Sequence, residues 1–467
     1  MRLIALPSQT DWRIVNGILQ AMTNDSAPSS EPSTTHVPRM FWYKAGQGSV
    51  TLTGNEVRQF GEIVRELLKD DTTFNNFTVK ELEALLKTLI LRVMKVDKDQ
   101  RNVEIEKQIA ELRKRLRTDV EKWSFVIPIA NLTLERKQLK IGNVKFFTFT
   151  DSHVTRWESM FYNTSHKLKS ETRAKYRDEI RNNVLAPLKQ CVCAEITVEA
   201  KHERALELAL QEVRNALHVI TMFFLGNEDF YRRYIGIKGE IVALNSADSR
   251  RNVLFSSNGL PGFDIETAGP RCPLELDKTR VDWMKKNGLR EVTALIAKKE
   301  TNSFEDRLRT AIYWLGAAMN VQIASTTKEV DAKIDLARNQ KGRRMKQFKD
   351  FEFHNFSERL IKLMVALESL VILDEREPVA SNLGERAAFL VAKKSNDRIY
   401  VDGKIKKLYR LRSRAIHHGR TEIKHEELDW LSMVVQTAII RLIRRGARMG
   451  VTNDEEYRSW FMRNKFS

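Results

Sequence analysis

Cysteine is scarce: Cys191, Cys193 and Cys272 are the three present in 467 residues. So few thiols, odd in number, do not build a disulfide framework, and no C-x-x-C or Cys/His spacing of a zinc site occurs, so a reducing compartment fits the chain. Glycine (20) and proline (10) are also few, which excludes collagen-like and low-complexity architectures. Long apolar runs are missing as well. The stretch Met1 to Leu19 is broken by Gln9, Asp11, Arg13 and Asn16 and has no signal-peptide apolar region. Ala216 to Leu225, interrupted by His218, falls far short of the roughly 20 residues that a membrane span needs. These absences predict a cytoplasmic chain with no membrane partner.

What the sequence does have is charge. Charged residues make up 30% of the chain and hydrophobic ones 42%, a composition of folded, helix-leaning proteins. Lys and Arg outnumber Asp and Glu by 79 to 61, a net +18, which suggests a polyanionic partner or an anionic surface without naming a function. At roughly 150 residues per domain the length suggests two or three domains.

Three regions follow from the patterning. Residues 1–122 contain a Ser/Pro/Thr-rich linker at 26–38 and then helical periodicity. Leu82, Leu85, Leu86, Leu89 and Val93, followed by Ile105, Ile109, Leu112, Leu116 and Val120, predict a helical hairpin. Residues 123–280 change period. Short β-branched and aromatic runs at Phe125–Ile129, Leu132–Leu134 and Val144–Phe149 surround an Ile141–Asn143 turn. Strand-like Ala194–Val198, a helix from Lys201 to Leu225, runs at Tyr234–Leu244 and Val253–Ser256, and a loop at Pro261–Pro273 complete a mixed α/β region. Residues 281–467 are almost wholly helical. Four amphipathic units are expected there: Phe304–Met319, His354–Leu373, Gly384–Lys394 with Lys404–His417, and His425–Arg448. The expected fold class is α+β, mostly α, with a carboxyl-terminal four-helix bundle.

Several motifs carry no chemistry. Gly46 with Gly48, and Gly236 with Gly239, lack the context of a nucleotide cradle, and no GxxxxGK[ST] exists. Glu422, Glu426, Glu427 and Asp429 open a helix and complement its dipole. His218 reads as a satisfied core histidine. No metal ligands and no cofactor are expected.

Residues 404–420, KIKKLYRLRSRAIHHGR, hold seven Lys/Arg and no Asp/Glu. At about 100° per residue, Ile405, Leu408, Tyr409, Ala415 and Ile416 form an apolar face, and Lys406, Lys407, Arg410 and Arg414 lie opposite. Arg412 falls inside the apolar stripe. A guanidinium aimed inward keeps its charge and must find a partner. Leu360–Leu373, apolar nearly all round, carries only Lys362 and Glu368 as charges. An Arg412–Glu368 contact would account for both anomalies. His417 and His418 follow, with Gly419 as a helix cap. On a continued helix His417 sits about 140° from Arg412, so a shared site requires the helix to loosen near Ile416. Arginine with histidine and a basic rim suits phosphate chemistry: the guanidinium binds phosphate bidentately and the imidazole transfers protons. A basic helix end with two solvated histidines accounts for the same residues without function.

The stretch Leu408–Gly419 (LYRLRSRAIHHG), with the preceding ALESLVI (Ala366–Ile372) and FEDRLRTAIYWLGAAM (Phe304–Met319), resembles the ApeA-like branch of the HEPN domains over about residues 300–450. Members carry an arginine, four to six residues, then a histidine, on a helical bundle. Ser413 after the arginine and Ile416 before the histidine agree with that pattern, which selects His417 over His418. The resemblance implies a metal-independent endoribonuclease that joins two Arg/His motifs across a homodimer, often as a toxin or abortive-infection effector against phage. It implies Arg412 and His417 as catalytic, with Ser413, Glu368 and His418 in support. Lys404, Lys406, Lys407, Arg410, Arg414 and Arg420 would then contact RNA. Some members have lost activity and only bind RNA or a protein.

Overall fold

The computed structural model describes residues 12–25, 40–43, 49–52, 54–164, 170–224, 235–237, 250–257, 260–267, 274–319, 343–373, 378–418 and 423–465. The linker at 26–38, Gly46, Gly48, Gly239, Cys272, Glu422 and most of the run Tyr234–Leu244 lie outside them. The chain divides into two compact units, Met1–Phe125 with Thr197–Leu210, and Val126–Ile196 with Gln211–Ser467.

In the first unit, helices α1 (Trp12–Asp25), α2 (Gly54–Leu67), α3 (Asp71–Asn76), α4 (Val79–Val93) and α5 (Arg101–Thr118) accompany a two-stranded ribbon of β1 (Met40–Tyr43) and β2 (Ser49–Leu52). The start of α4 is fixed locally. Thr78 accepts from the Glu81 amide at 3.1 Å while Glu81 accepts from the Thr78 amide at 2.9 Å, a reciprocal capping box. The expected hairpin is present. Leu82, Leu86, Leu89 and Val93 of α4 and Ile105, Ile109, Leu112 and Leu116 of α5 are buried in one core with Val15, Leu19, Phe60 and Ile63.

A five-stranded sheet follows, in the order β5 (Leu139–Ile141), β6 (Val144–Thr148), β7 (Val192–Ala200), β3 (Glu121–Ala130), β8 (Gly236–Ile237). The pairs β5–β6, β6–β7 and β3–β8 are antiparallel. The turn between β5 and β6 needs glycine twice over: Gly142 has φ +60°, and a Cβ there would lie 2.9 Å from Ile296 Cγ2. Strand β4 (Leu132–Leu134) pairs in parallel with β11 (Leu274–Leu276). Helices α6 (Asp151–Thr164) and α7 (Ser170–Glu179) lie between β6 and β7, and α8 (His202–Phe223) follows β7. The loop expected at Pro261–Pro273 is in part a strand. β10 (Leu260–Thr267) pairs antiparallel with β9 (Arg250–Ser257) from Leu260↔Ser257 to Thr267↔Arg250. In a two-stranded ribbon each strand keeps a free edge, where a proline such as Pro261 costs no ladder bond.

The remainder of the second unit is helical: α9 (Lys278–Lys286), α10 (Leu289–Ala297), α11 (Ser303–Met319), α12 (Arg343–Val371), α13 (Val379–Val391), α14 (Ser395–His418), α15 (His425–Met449) and α16 (Asp454–Lys465). The third expected unit is two helices, α13 and α14, joined by three residues. α11 through α15 pack on one another, and α12 meets each of the other four. Leu360, Leu363, Met364, Leu367, Leu370 and Val371 on α12, Leu383 and Leu390 on α13, Ile405 and Leu408 on α14, and Leu428, Leu431 and Leu442 on α15 are buried there. The molecule is thus mostly helical with an antiparallel sheet. Among the described residues no helix is long and apolar enough to cross a membrane.

Candidate active site

The basic segment lies on the second half of α14. Its apolar face is seated in the helical core as the periodicity predicts: Ile405 and Leu408 are fully buried and Ala415 nearly so. Ile416 departs from the expectation and is half exposed, in the last turn before the helix ends. Arg412 reaches Glu368 on α12, with Nη2 3.7 Å from Oε2 and both side chains 22% exposed. That is an ion pair beyond hydrogen-bond length. Arg412 Nε and Glu368 Oε1 are buried without a hydrogen-bond partner, and the Arg412 guanidinium also faces the Tyr409 ring at 5.6 Å. Burial pushes the Glu368 carboxyl above its ordinary pKa, and Arg412 pulls it back in part.

The helix does not loosen at Ile416; it runs on to His418. His417 is therefore exposed on the side away from Arg412, aligned with Arg410 and Arg414 at spacings of seven and three residues. All three are exposed. Within one chain the structure joins Arg412 to Glu368, and joins His417 to the basic face. Ser413 is half-buried beside Arg412. The side chain of His418 and all of Arg420 lie outside the described residues.

The lysines are less free than a bare count suggests. Lys406 pairs with Asp402 at 2.8 Å and Lys407 with Glu427 at 2.7 Å. Lys404 Nζ sits 4.2 Å over the Trp430 ring and donates to the Tyr400 hydroxyl at 3.2 Å. Arg410 donates to the Lys406 carbonyl at 3.3 Å. Arg414 makes no hydrogen bond or ion pair with the described residues. Among the described residues the exposed cations of α14 with no acidic partner are thus Arg410 and Arg414.

Among the described residues of the bundle, helical periodicity read from Leu360 onward passes over a more deeply buried ion. Arg359 on α12 is 1% exposed. Its Nη2 donates to Asp429 Oδ1 at 3.2 Å and to Ser432 Oγ at 3.3 Å, and lies 3.5 Å from Met319 Sδ. Asp429 Oδ2 in turn is 2.9 Å from His425 Nδ1. Asp429 therefore belongs to a buried network on α15 and does more than complement the helix dipole. The signal was present: counted back from Leu363, Leu367 and Leu370, the helical period puts Arg359 on the same buried stripe.

His218 departs from the satisfied core histidine expected of it. It is 6% exposed, its Nδ1 has no hydrogen-bond partner, and burial with the nearby Arg214 and Lys362 charges lowers its pKa to about 4. Among the described residues no group of three or more His, Cys, Asp or Glu side chains is placed to hold a metal ion. No family model, no curated protein and no solved structure matches the chain.

Proposed function

We propose that the protein is an endoribonuclease of the HEPN type that cleaves RNA through the 2′-hydroxyl without a metal, using Arg412 and His417. The reading is supported above all by the Arg412–Glu368 pair. The cation on the buried stripe in the second half of α14 is held by a carboxylate of α12 at a distance that leaves hydrogen-bonding capacity on both partners. An arginine so placed is positioned but not saturated, which suits bidentate binding of a phosphate. Glu368 is its positioning residue, and Ser413 and His418 are in support. His417, exposed beside Arg410 and Arg414, serves as general acid or base. Because Arg412 and His417 point to different sides of α14, one copy supplies half of each site and a homodimer completes it. The biological role that fits is a cytoplasmic toxin or abortive-infection effector, silent until triggered.

The same divergence of Arg412 and His417 favours a second reading, a non-catalytic module that holds RNA on the Arg410–Arg414–His417 face. Incubating the full chain with RNA in EDTA separates the two. Cleavage leaving 2′,3′-cyclic phosphate ends, abolished in His417→Ala, supports the nuclease. Binding without cleavage supports the module, and cleavage only with added magnesium contradicts the nuclease.

A further inference from the structure

A second polar site lies elsewhere in the same unit and shares no residue with the one above. A cavity of about 320 Å³ lies against α8, α11 and the end of α10, with Gln211, Glu212, Asn215 and His218 on one side and Arg309 and Tyr313 on another. Its volume falls in the range of small-ligand sites. Glu212 Oε2 and His218 Nδ1 are both buried without a hydrogen-bond partner, two orphaned polar atoms of α8 on residues that line the cavity.

The walls are held in place. The His218 imidazole rests directly on Gly316 of α11, where any side chain would run into the ring, and stands edge-on to Tyr313 at 5.6 Å. Arg309 is spent on architecture. Its Nε and Nη2 donate to the Leu295 carbonyl at 3.2 and 2.9 Å, and Nη2 also reaches the carbonyls of Ile296 at 3.1 Å and of Lys298. It caps the carboxyl end of α10. Tyr313 is 46% exposed and keeps part of its ring available for stacking.

The charges select the ligand. Arg309 lies close enough to Glu212 to offset its charge, and Arg214 and Lys362 lie near His218, so the site does not call for a full positive charge on the ligand. An anionic group would meet the Glu212 carboxylate. A neutral, planar ligand remains, one that donates N–H groups to Glu212 and His218 and stacks on an aromatic ring. Adjacent ring N–H and exocyclic amino donors, the Watson–Crick edge of guanine, fit a carboxylate through two parallel hydrogen bonds. We propose that this cavity binds a guanine base, carried either by a free nucleoside or nucleotide or by an unpaired position in RNA, with Glu212 reading the donor edge and His218, Asn215 and Tyr313 completing the contact.

Calorimetry on the full chain tests this with guanosine, inosine, adenosine, and short single-stranded RNAs with and without guanosine. Guanosine should bind, inosine at least about tenfold more weakly for want of the 2-amino donor, and adenosine not measurably. Glu212→Gln should weaken guanosine binding by about ten- to a hundredfold, the usual cost of losing a hydrogen bond to a charged group, while its melting temperature stays at or above the parent's. His218→Gln should weaken binding too. If only the guanosine-containing RNA binds, and Glu212→Gln removes that binding, the base is delivered by RNA and the proposal holds. No binding by any probe, equal binding of adenosine, or binding indifferent to both substitutions would overturn it and leave water as the partner of these atoms. The free-nucleoside arm does not depend on RNA cleavage, so its failure and that of the nuclease reading are distinguishable.

Discussion

Two of the inward-facing arginines in the carboxyl-terminal helices, Arg359 and Arg412, are treated differently. Arg359 is 1% exposed and is met at 3.2 to 3.5 Å by Asp429, Ser432 and Met319. Arg412 is 22% exposed and is met by one carboxylate at 3.7 Å. A charge withdrawn from water costs several kcal/mol unless partners compensate it. Arg359 Nη2 meets three partners, while its Nε and Nη1 carry no hydrogen bond, as Arg412 Nε carries none; the two differ in depth and in how closely a carboxylate meets them. Arg412 is met by one carboxylate beyond hydrogen-bond length, and Glu368 keeps a raised pKa beside it. One arginine ties α12 to α15 out of reach of solvent, while the other stays partly exposed, which a phosphate-binding residue needs.

Breaking each pair should expose the difference. Asp429→Ala leaves Arg359 buried and short of its carboxylate, and should lower stability by about 3–5 kcal/mol in denaturant unfolding. Glu368→Gln should change it by less than about 1 kcal/mol, because a carboxylate whose folded pKa is raised is itself disfavoured once ionised. Equal losses from the two substitutions would erase the comparison.

The pH dependence sharpens it with a third buried group. His218 titrates near 4 when folded and near 6.5 in the free chain. Below pH 6.5 the unfolded state takes up the proton first, so stability falls as pH drops from about 6.5 to 4, by about 3 kcal/mol in all. His218→Gln should flatten that slope. Glu368 acts in the opposite sense, its protonation on acidification favouring the folded state. An unchanged slope in His218→Gln would show that other groups set the acid limit.

The surface of α14 offers the smallest contrast. Arg410→Glu with Arg414→Glu should weaken RNA binding at least about tenfold more than Lys406→Glu with Lys407→Glu, because the lysines already hold Asp402 and Glu427. A gel-shift titration at fixed salt reads the difference. Equal losses would mean that the ion pairs open on binding.

Helical phase made much of this legible in advance. It seated Ile405 and Leu408 in the core, turned Arg412 inward, and matched it to the lone acid on Leu360–Leu373. The same rule applied one turn earlier would have found Arg359, which was missed because the apolar run was read from Leu360. Phase and the Gly419 cap place the end of α14 within a residue, but phase alone does not show that the apolar stripe loses its cover in the last turn, where Ile416 is half exposed. Nor did it divide α13 from α14. Pro261 and Gly262 read as loop because a two-stranded ribbon, with its free edges, tolerates what a central strand does not. The cavity at His218 was illegible for a different reason. It depends on α8 meeting α11 at Gly316, a long-range contact with no local signature.

The most direct measurement is the RNA-cleavage rate of Arg412→Ala in EDTA, read beside its melting temperature. The account predicts a loss of more than about a hundredfold in rate, with melting shifted by only a few degrees because the pair with Glu368 is loose. Undiminished cleavage by a folded Arg412→Ala protein, or a loss of rate that merely follows the unfolded fraction, would contradict it.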